Sequence, residues 1–133
     1  FSVYRPKTVV CALNPHAGEG GILGREEKEI IIPAIEKAKR NGYNVIGPYP
    51  ADTVFQNWQK YDLIIALYHD QAMIPLKLLG SSSLVNVTIG LPFIRTSPGH
   101  GTAFDIAGKN IADERPMFSA VKLATEMCKT SRN

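Results

Sequence analysis

Three apolar runs along the chain are typical of buried β-strands. They are "KTVVCAL" (7–13), "YDLIIALYH" (61–69) and "LVNVTIG" (84–90). The first and third runs are rich in β-branched residues, which strands favour. The second run is continuously apolar, as in a parallel strand that is covered on both faces. The pattern therefore predicts a sheet whose strands are separated by other elements.

The segment "GREEKEIIIPAIEKAKRNG" (24–42), which follows the first strand, is predicted to be a helix. Glutamates at its start favour the positive amino end of a helix, and lysines with an arginine suit the other end. Gly42 is placed to cap it, whereas Pro33 either kinks the helix or marks its first turn. The apolar positions that recur at helical spacing are Ile30, Ile31, Ala34, Ile35 and Ala38.

Further along the chain, shorter patterns predict the remaining elements. The loop "PYPADT" leads into a short amphipathic piece, "QAMIPLKLLG" (71–80) reads as a short helix and "TAFDIAGK" (102–109) as a helical turn. "PMFSAVKLATEMCK" (116–129) reads as a closing helix with Pro116 near its first turn. Because strands alternate with helices, we predict an α/β fold: one layered α/β/α domain over residues 1–133 with a mostly parallel sheet.

Composition narrows the classes of function. The 133 residues are 44% hydrophobic, enough for the core of one domain, and the net charge of +3 is spread along the chain. The basic patch of a nucleic-acid-binding protein is missing, while small anionic ligands remain plausible.

Cys11 and Cys128 lack zinc-knuckle spacing, so we expect reduced core thiols. We find neither a membrane-length apolar run nor a leader, and expect a cytoplasmic protein. A chain that begins with Phe1 is expected to be part of a longer protein.

Two histidines follow predicted strands. His16 comes shortly after the first strand, and His69, with Asp70, ends the second. A lone histidine is usually a core or capping residue, but two imidazoles at one sheet edge suit a divalent ion. A third protein ligand would come from His100, Asp70, Asp52 or a part of the protein that is not present. Asp70 could also orient His69.

The glycine-rich stretch "NPHAGEGG" (14–21) does not match a nucleotide fingerprint. Gly18, Gly20 and Gly24 are spaced one residue off the dinucleotide motif, and the acidic residue that should follow about 20 residues later is missing. There is also no P-loop. Two interpretations stay open: an ordinary βα turn, or a loop whose small residues let an anionic ligand approach the helix.

Three polar residues lie in apolar surroundings: Lys77 in "PLKLLG", Asn86 in "LVNVTIG" and Arg95 in "LPFIRTS". Arginine can hold a carboxylate or phosphate with two hydrogen bonds, lysine adds a point charge, and asparagine orients the ligand. Each could alternatively extend to solvent or pair within the domain. Together they predict an anion pocket, and we expect Arg95 to face the two histidines across a hollow.

Five motifs in this order resemble the carboxy-terminal half of the 4-hydroxythreonine-4-phosphate dehydrogenase family, NAD-dependent enzymes of pyridoxal phosphate biosynthesis. They are "NPHAGEGG", "PADT", "YHDQ", "VNVTIGLPFIRTS" and "HGTAFDIAGK". The resemblance implies that His16 and His69 bind a divalent metal. It also implies that Lys77, Asn86 and Arg95 contact the phosphorylated substrate.

The motif "HGTAFDIAGKNIAD" is similar to the adenosine-binding loop of isocitrate and isopropylmalate dehydrogenases, which bind NAD without a Rossmann fold. By this similarity His100 packs beside the adenine, the backbone from Gly101 through Thr102 to Ala103 lines it, and Asp105 accepts hydrogen bonds from the ribose. A carboxylate there would repel the 2′-phosphate of NADP, so NAD is the expected cofactor. Asp52 either lies near the cofactor or substrate, or caps the helix after it.

The resemblance implies an activity that needs more than this chain. Family members oxidise and decarboxylate 4-phosphooxy-threonine to 3-amino-2-oxopropyl phosphate, as homodimers whose amino-terminal domain completes the site. The chain alone is therefore expected to show little or no activity. Zinc, manganese and cobalt all suit the expected donors, and no general base is identified. The alternatives are a related dehydrogenase of a phosphorylated four-carbon hydroxy acid, a noncatalytic phosphate- or nucleotide-binding module, and a phosphate acyltransferase.

Overall fold

A three-stranded parallel sheet organises the first part of the chain. The computed structural model describes residues 3–80 and 83–130, and the chain divides into two compact units, Phe1–Pro75 and Leu76–Asn133. In the first unit the strand order is β2-β1-β3, with Thr8 of β1 paired to Val45 on one side and to Leu63 on the other. These strands are β1 (Thr8–Cys11), β2 (Val45–Tyr49) and β3 (Leu63–Ile65).

Helices cover both faces of this sheet. The π-helical turn Glu27–Ile31 leads into α1 (Ile32–Arg40), and α2 (Ala51–Gln56) follows β2. Side chains of β1 alternate between the two layers, as a strand requires. Val10 packs with Ile31, Ile35 and Val45 on one face. On the other face Val9 and Cys11 pack with Val54. The predicted α/β fold with layers and a parallel sheet is confirmed.

The carboxyl end of α1 closes with a left-handed glycine, as the sequence predicted. The Tyr43 amide donates to the Ala38 carbonyl at 3.2 Å and the Gly42 amide to Lys39 at 2.9 Å. Gly42 has φ +85°, the conformation this cap needs. The buried apolar stripe is narrower than predicted, because Ile30 is 64% exposed and Ala34 is exposed as well.

The second predicted strand is much shorter than its apolar run. β3 ends at Ile65, and Leu63 and Ile65 are 47% and 40% exposed, so the prediction of a strand covered on both faces and ending at His69 was wrong. In the described residues β3 pairs with β1 alone. Beyond Ile65 the Leu67 amide donates to the Gln71 side-chain oxygen instead of to a neighbouring strand. His69 is consequently the first residue of α3 (His69–Gly80).

The second unit contains an antiparallel hairpin and the closing helix. β4 (Val85–Thr88) pairs with β5 (Arg95–Pro98), and α4 (Arg115–Thr130) packs against them, with the Thr96 hydroxyl donating to the Ala120 carbonyl at 2.9 Å. The sequence predicted β4 and α4, but β5 was missed.

Two further expectations concern single properties of the chain. Cys11 is buried as predicted, whereas Cys128 is exposed, so its placement in the core was wrong. Within residues 3–80 and 83–130, none of the helices combines the length and the apolar character that crossing a bilayer requires. The assignment of a single domain stays a prediction.

Candidate functional site

A cavity of about 300 Å³ lies in the first unit, at the end of β1. Asn14 and His16 line it from the segment after β1, Asp52 from the first turn of α2, and Tyr68 and Gln71 from either side of His69 in the chain. Ligands of parallel α/β sheets bind at the carboxyl ends of the strands. The cavity therefore brings the predicted metal ligand His16 and the predicted cofactor residue Asp52 together. Asp52 does not cap α2, because Pro50 occupies the N-cap position and Asp52 lies in the first turn.

The glycine-rich stretch forms a left-handed turn over Pro15–Gly21, which we call the glycine turn. Five successive residues have positive φ values, of 51°, 56°, 77°, 44° and 66° from His16 to Gly20. For the three that carry a side chain, this conformation costs roughly 1–2 kcal/mol each. It differs from an ordinary βα turn, and such strain persists only where surrounding contacts fix the backbone.

The His16 imidazole is paired with a carboxylate of the same turn. Its Nδ1 lies 2.6 Å from Oε1 of Glu19. An ionised carboxylate only accepts hydrogen bonds, so Nδ1 is the donor, and in the neutral imidazole Nε2 then keeps its lone pair. The hydrogen bond to Glu19, followed by the charge of Glu19, raises the pKa of His16. Histidines that bind metals commonly donate their second ring nitrogen to a carboxylate in this way.

The Glu27 carboxylate, only 2% exposed, holds the start of the glycine turn. Its Oε1 accepts from the Leu13 amide at 2.9 Å and the Asn14 amide at 2.7 Å, and its Oε2 accepts from the Asn14 side chain at 2.9 Å. Burial by itself would raise the pKa of Glu27, but the hydrogen bonds from Asn14 and Leu13 outweigh it and hold the pKa below its usual value. Glu27 is therefore ionised at neutral pH and accepts hydrogen bonds at both of its carboxylate oxygens.

Gln71 ties the start of α3 to the end of β1. Its side-chain nitrogen donates to the Ala12 carbonyl at 2.7 Å, while its oxygen accepts from Leu67. His69 is two residues before this buried amide. A neutral imidazole with an orienting carboxylate suits a transition metal, so His16 has the chemistry of one ligand. His69 is not among the residues that line the cavity, although Tyr68 and Gln71 are. In residues 3–80 and 83–130, no three His, Cys, Asp or Glu side chains form a group that could hold a metal ion; joint coordination stays a prediction.

A second cavity, of about 710 Å³, lies within the second unit. Three of the predicted cofactor residues line it, His100, Thr102 and Ala103. Of the other two in this motif, Gly101 accepts a hydrogen bond from His100 Nδ1 at 2.8 Å, and Asp105 lies in the helical turn Phe104–Ile106. That turn was predicted from the sequence. Pockets of this size hold cofactor-sized ligands, so the cavity fits part of a dinucleotide.

An ion pair at the second cavity was missed by the sequence analysis. Asp113 lines the cavity, and Arg115 donates from Nε to its Oδ1 at 2.8 Å and from Nη2 to its Oδ2 at 2.7 Å. The hydrogen bonds from Arg115 lower the pKa of Asp113 to about 2. Asp113 is therefore ionised over the whole physiological pH range, and the Arg115 guanidinium balances its charge.

The predicted substrate residues are all exposed and belong to the second unit. Lys77 is in the last turn of α3. Asn86 on β4 and Arg95 on β5 lie on one face of the hairpin, because Thr88, two residues after Asn86, pairs with Arg95. Arg95 Nη1 donates to the Thr88 hydroxyl at 2.8 Å. The hollow expected between Arg95 and the histidines of the first unit stays a prediction.

Comparison with known proteins gives close relatives over nearly the whole chain. A relative from Roseobacter denitrificans named 4-hydroxythreonine-4-phosphate dehydrogenase is 55% identical over 129 residues, covering 96% of this chain and 40% of the relative. One from Oceanobacillus iheyensis, named provisionally as a D-threonate 4-phosphate dehydrogenase, is 54% identical over 131 residues, with the same coverage. The chain thus spans about 40% of the length of these curated relatives.

Solved structures agree with these relatives. The 4-hydroxythreonine-4-phosphate dehydrogenase of Klebsiella pneumoniae is similar with a TM-score of 0.80 and 50% identity, over 92% of this chain and 38% of that one. A terephthalate 1,2-cis-dihydrodiol dehydrogenase of Burkholderia xenovorans gives a TM-score of 0.66 and 41% identity, over 89% and 38%. The family model described as pyridoxal phosphate biosynthetic protein PdxA matches residues 1–124. The chain therefore belongs to the PdxA family.

Proposed function

We propose that this chain is the carboxy-terminal, cofactor- and metal-binding part of a two-domain, NAD-dependent dehydrogenase. The reaction is the oxidation and decarboxylation of 4-phosphooxy-threonine to 3-amino-2-oxopropyl phosphate in pyridoxal phosphate biosynthesis. The observation that carries the proposal is the pairing of His16 with Glu19 at a cavity beside the end of β1, in a chain of the PdxA family. We further propose that the intact enzyme is a cytoplasmic homodimer.

His16 and His69 are the proposed ligands of a divalent ion, with zinc, manganese and cobalt as candidates. The His16–Glu19 hydrogen bond keeps the imidazole in the tautomer whose Nε2 can bind a metal. The third ligand is proposed to come from Asp52, Asp70, His100 or another part of the intact enzyme. When bound, the ion supplies Lewis-acid activation of the substrate alcohol and NAD supplies the hydride acceptor.

Lys77, Asn86 and Arg95 are the proposed contacts of the substrate phosphate. Asn86 and Arg95 share a face of the β4–β5 hairpin, and the guanidinium of Arg95 is oriented by its hydrogen bond to Thr88. A planar guanidinium that is already held through one of its N–H groups can offer the others to phosphate oxygens. These residues bind and orient the substrate.

The cofactor is proposed to bind at the cavity of the second unit. His100, Thr102 and Ala103 line that cavity. NAD is proposed over NADP, because the carboxylate of Asp105 would repel the 2′-phosphate. The complete proposed set of cofactor residues is Asp52, His100, Gly101, Thr102, Ala103 and Asp105.

A second candidate substrate is D-threonate 4-phosphate. The relative from Oceanobacillus iheyensis carries that name at 54% identity, nearly the same identity as for the Roseobacter denitrificans relative. Both compounds are phosphorylated four-carbon hydroxy acids, and they differ in whether an amino group is present. Residues that contact only the phosphate group cannot distinguish the two substrates, because both carry that group.

A chimeric enzyme tests the proposal. This chain replaces the matching segment of the Roseobacter denitrificans relative, and NADH formation is measured with each of the two substrates and a divalent ion. We expect activity with 4-phosphooxy-threonine within about tenfold of the parent enzyme, and no turnover by this chain alone. Preference for D-threonate 4-phosphate would favour the second candidate. A folded but inactive chimera, or turnover by the chain alone, would contradict the proposal.

A further inference from the structure

The conformation of the glycine turn needs an external restraint. All five residues from His16 to Gly20 are left-handed, and only two of them are glycines. The Leu23 amide donates to the Gly18 carbonyl at 3.1 Å and the Ile22 amide to the Glu19 carbonyl at 3.4 Å, just after the turn. Because a left-handed backbone costs energy at every residue that carries a side chain, contacts with neighbouring segments are needed to hold the turn.

Glu27 supplies the buried contact at the entrance of the turn. It accepts hydrogen bonds from two of the three backbone amides that connect β1 to the turn, those of Leu13 and Asn14, and from the Asn14 side chain as well. The turn also lies directly against this carboxylate, because a Cβ added to Gly18 would be 2.8 Å from Oε2 of Glu27. A single side chain thus touches the turn at its beginning and in its middle.

From these contacts we infer that Glu27 is a positioning residue, which fixes the glycine turn and thereby the place of the His16 imidazole at the cavity. Leu13, Asn14 and His16 all line that cavity, so the backbone held by Glu27 is also its wall. The inference rests on the proposed function for the metal-binding role of His16. The placement of His16 itself is independent of that role.

Neighbouring Glu26 offers a matched control. Its Oε2 also accepts from the Asn14 side chain, at 2.7 Å, but Glu26 is exposed and accepts neither backbone amide. The Glu27→Gln variant keeps the shape of the side chain but replaces one acceptor oxygen by a donor. That donor opposes either the backbone amides or the Asn14 side chain. The Glu26→Gln variant changes only an exposed contact.

The experiment uses this chain labelled with ¹⁵N, with cobalt as the metal probe. For Glu27→Gln we expect the backbone couplings of His16, Ala17 and Glu19 to lose their left-handed values and the His16 ring signals to shift. Cobalt affinity should fall by about 10- to 100-fold, as for other groups that orient metal ligands. Glu26→Gln should leave the backbone couplings, the His16 ring signals and the cobalt affinity unchanged. Asn14→Ala, which removes one of the three donors, should give an intermediate effect and serves if Glu27→Gln does not fold.

The outcomes separate the two proposals. A folded Glu27→Gln or Asn14→Ala variant that is less heat-stable, but keeps the His16 signals and the cobalt affinity of the original chain, would overturn the inference. If the original chain and both variants fail to bind cobalt at all, the metal proposal loses its support. The His16 signals would then still decide whether Glu27 positions the turn.

Discussion

Replacing His16 by alanine should lower NADH formation by the chimeric enzyme by more than about 100-fold, because losing a metal ligand costs more than losing a group that orients one. The imidazole is the cavity residue whose second nitrogen is already engaged by Glu19, at 2.6 Å. Metal content after dialysis, measured by elemental analysis, should fall in parallel with the rate. The affinity for NAD should change much less than the rate, since His16 is not one of the proposed cofactor residues.

Arg25→Ala is the control for this variant. Arg25 is exposed near the glycine turn and pairs only loosely with Glu29, at 3.4 Å. The Arg25→Ala chimera should retain full activity and metal content. Full activity and metal content in the His16→Ala chimera would contradict the assignment of His16.

The metal affinity should also depend on pH in a defined direction. Because the hydrogen bond and charge of Glu19 raise the pKa of His16, its imidazolium persists to a higher pH than that of an ordinary histidine, whose pKa is about 6.5. A proton competes with the metal, so affinity should fall as pH drops below this raised pKa. In a Glu19→Gln variant the fall should begin at a lower pH.

Gly47→Ala should destabilise the first unit by about 3 kcal/mol, as the sum of a strained backbone and a steric overlap. Gly47 lies in β2 with φ +123°, and an added Cβ would be 2.5 Å from the carbonyl oxygen of Val10 in β1. The β1–β2 pairing shifts register beside this point, between Val9 and Cys11. Since the overlap is with backbone of the central strand, relief would require the strands to separate.

Gly42→Ala provides the comparison. Gly42 also has a positive φ, of +85°, but an added Cβ would meet only the end of the Arg5 side chain, at 3.7 Å. The cost of placing a residue with a Cβ in this left-handed conformation alone predicts a fall of about 1 kcal/mol in the free energy of unfolding. Urea denaturation, followed by far-ultraviolet circular dichroism, measures the free energy of unfolding of both variants. Equal losses for the two variants would show that the Val10 contact contributes nothing.

The layered fold could be predicted because its signals are local. β1 and the helix after it were found from a short β-branched run and from apolar residues at helical spacing, of which Ile31 and Ile35 are buried. The hairpin partner β5 was missed because "RTSP" has no apolar alternation and ends on Pro98. β3 was predicted too long because an apolar run does not reveal how many partner strands the sheet offers it.

The residues that hold the two cavities in shape make contacts that are difficult to predict from sequence patterns. Glu27 was interpreted as a charge at the amino end of a helix, yet it lies four and eight residues before the buried Ile31 and Ile35. That spacing puts a glutamate on the apolar stripe and was the available signal. Asp113 and Arg115 are two residues apart in a loop and the first turn of α4, and their pairing had no periodic signature. The left-handed turn is decided by the surroundings of "HAGEG" rather than by its residue preferences.

Titration of this chain with NAD, followed by ¹⁵N chemical shifts, tests most directly whether it carries the cofactor site of a dehydrogenase. We predict saturable shifts at Thr102 and Ala103, which line the second cavity, and binding of NADP that is weaker by about tenfold or more, because the Asp105 carboxylate would repel its 2′-phosphate. A phosphate acyltransferase or a simple phosphate-binding module would not recognise NAD. Absence of saturable binding, or shifts confined to the first unit, would contradict the account.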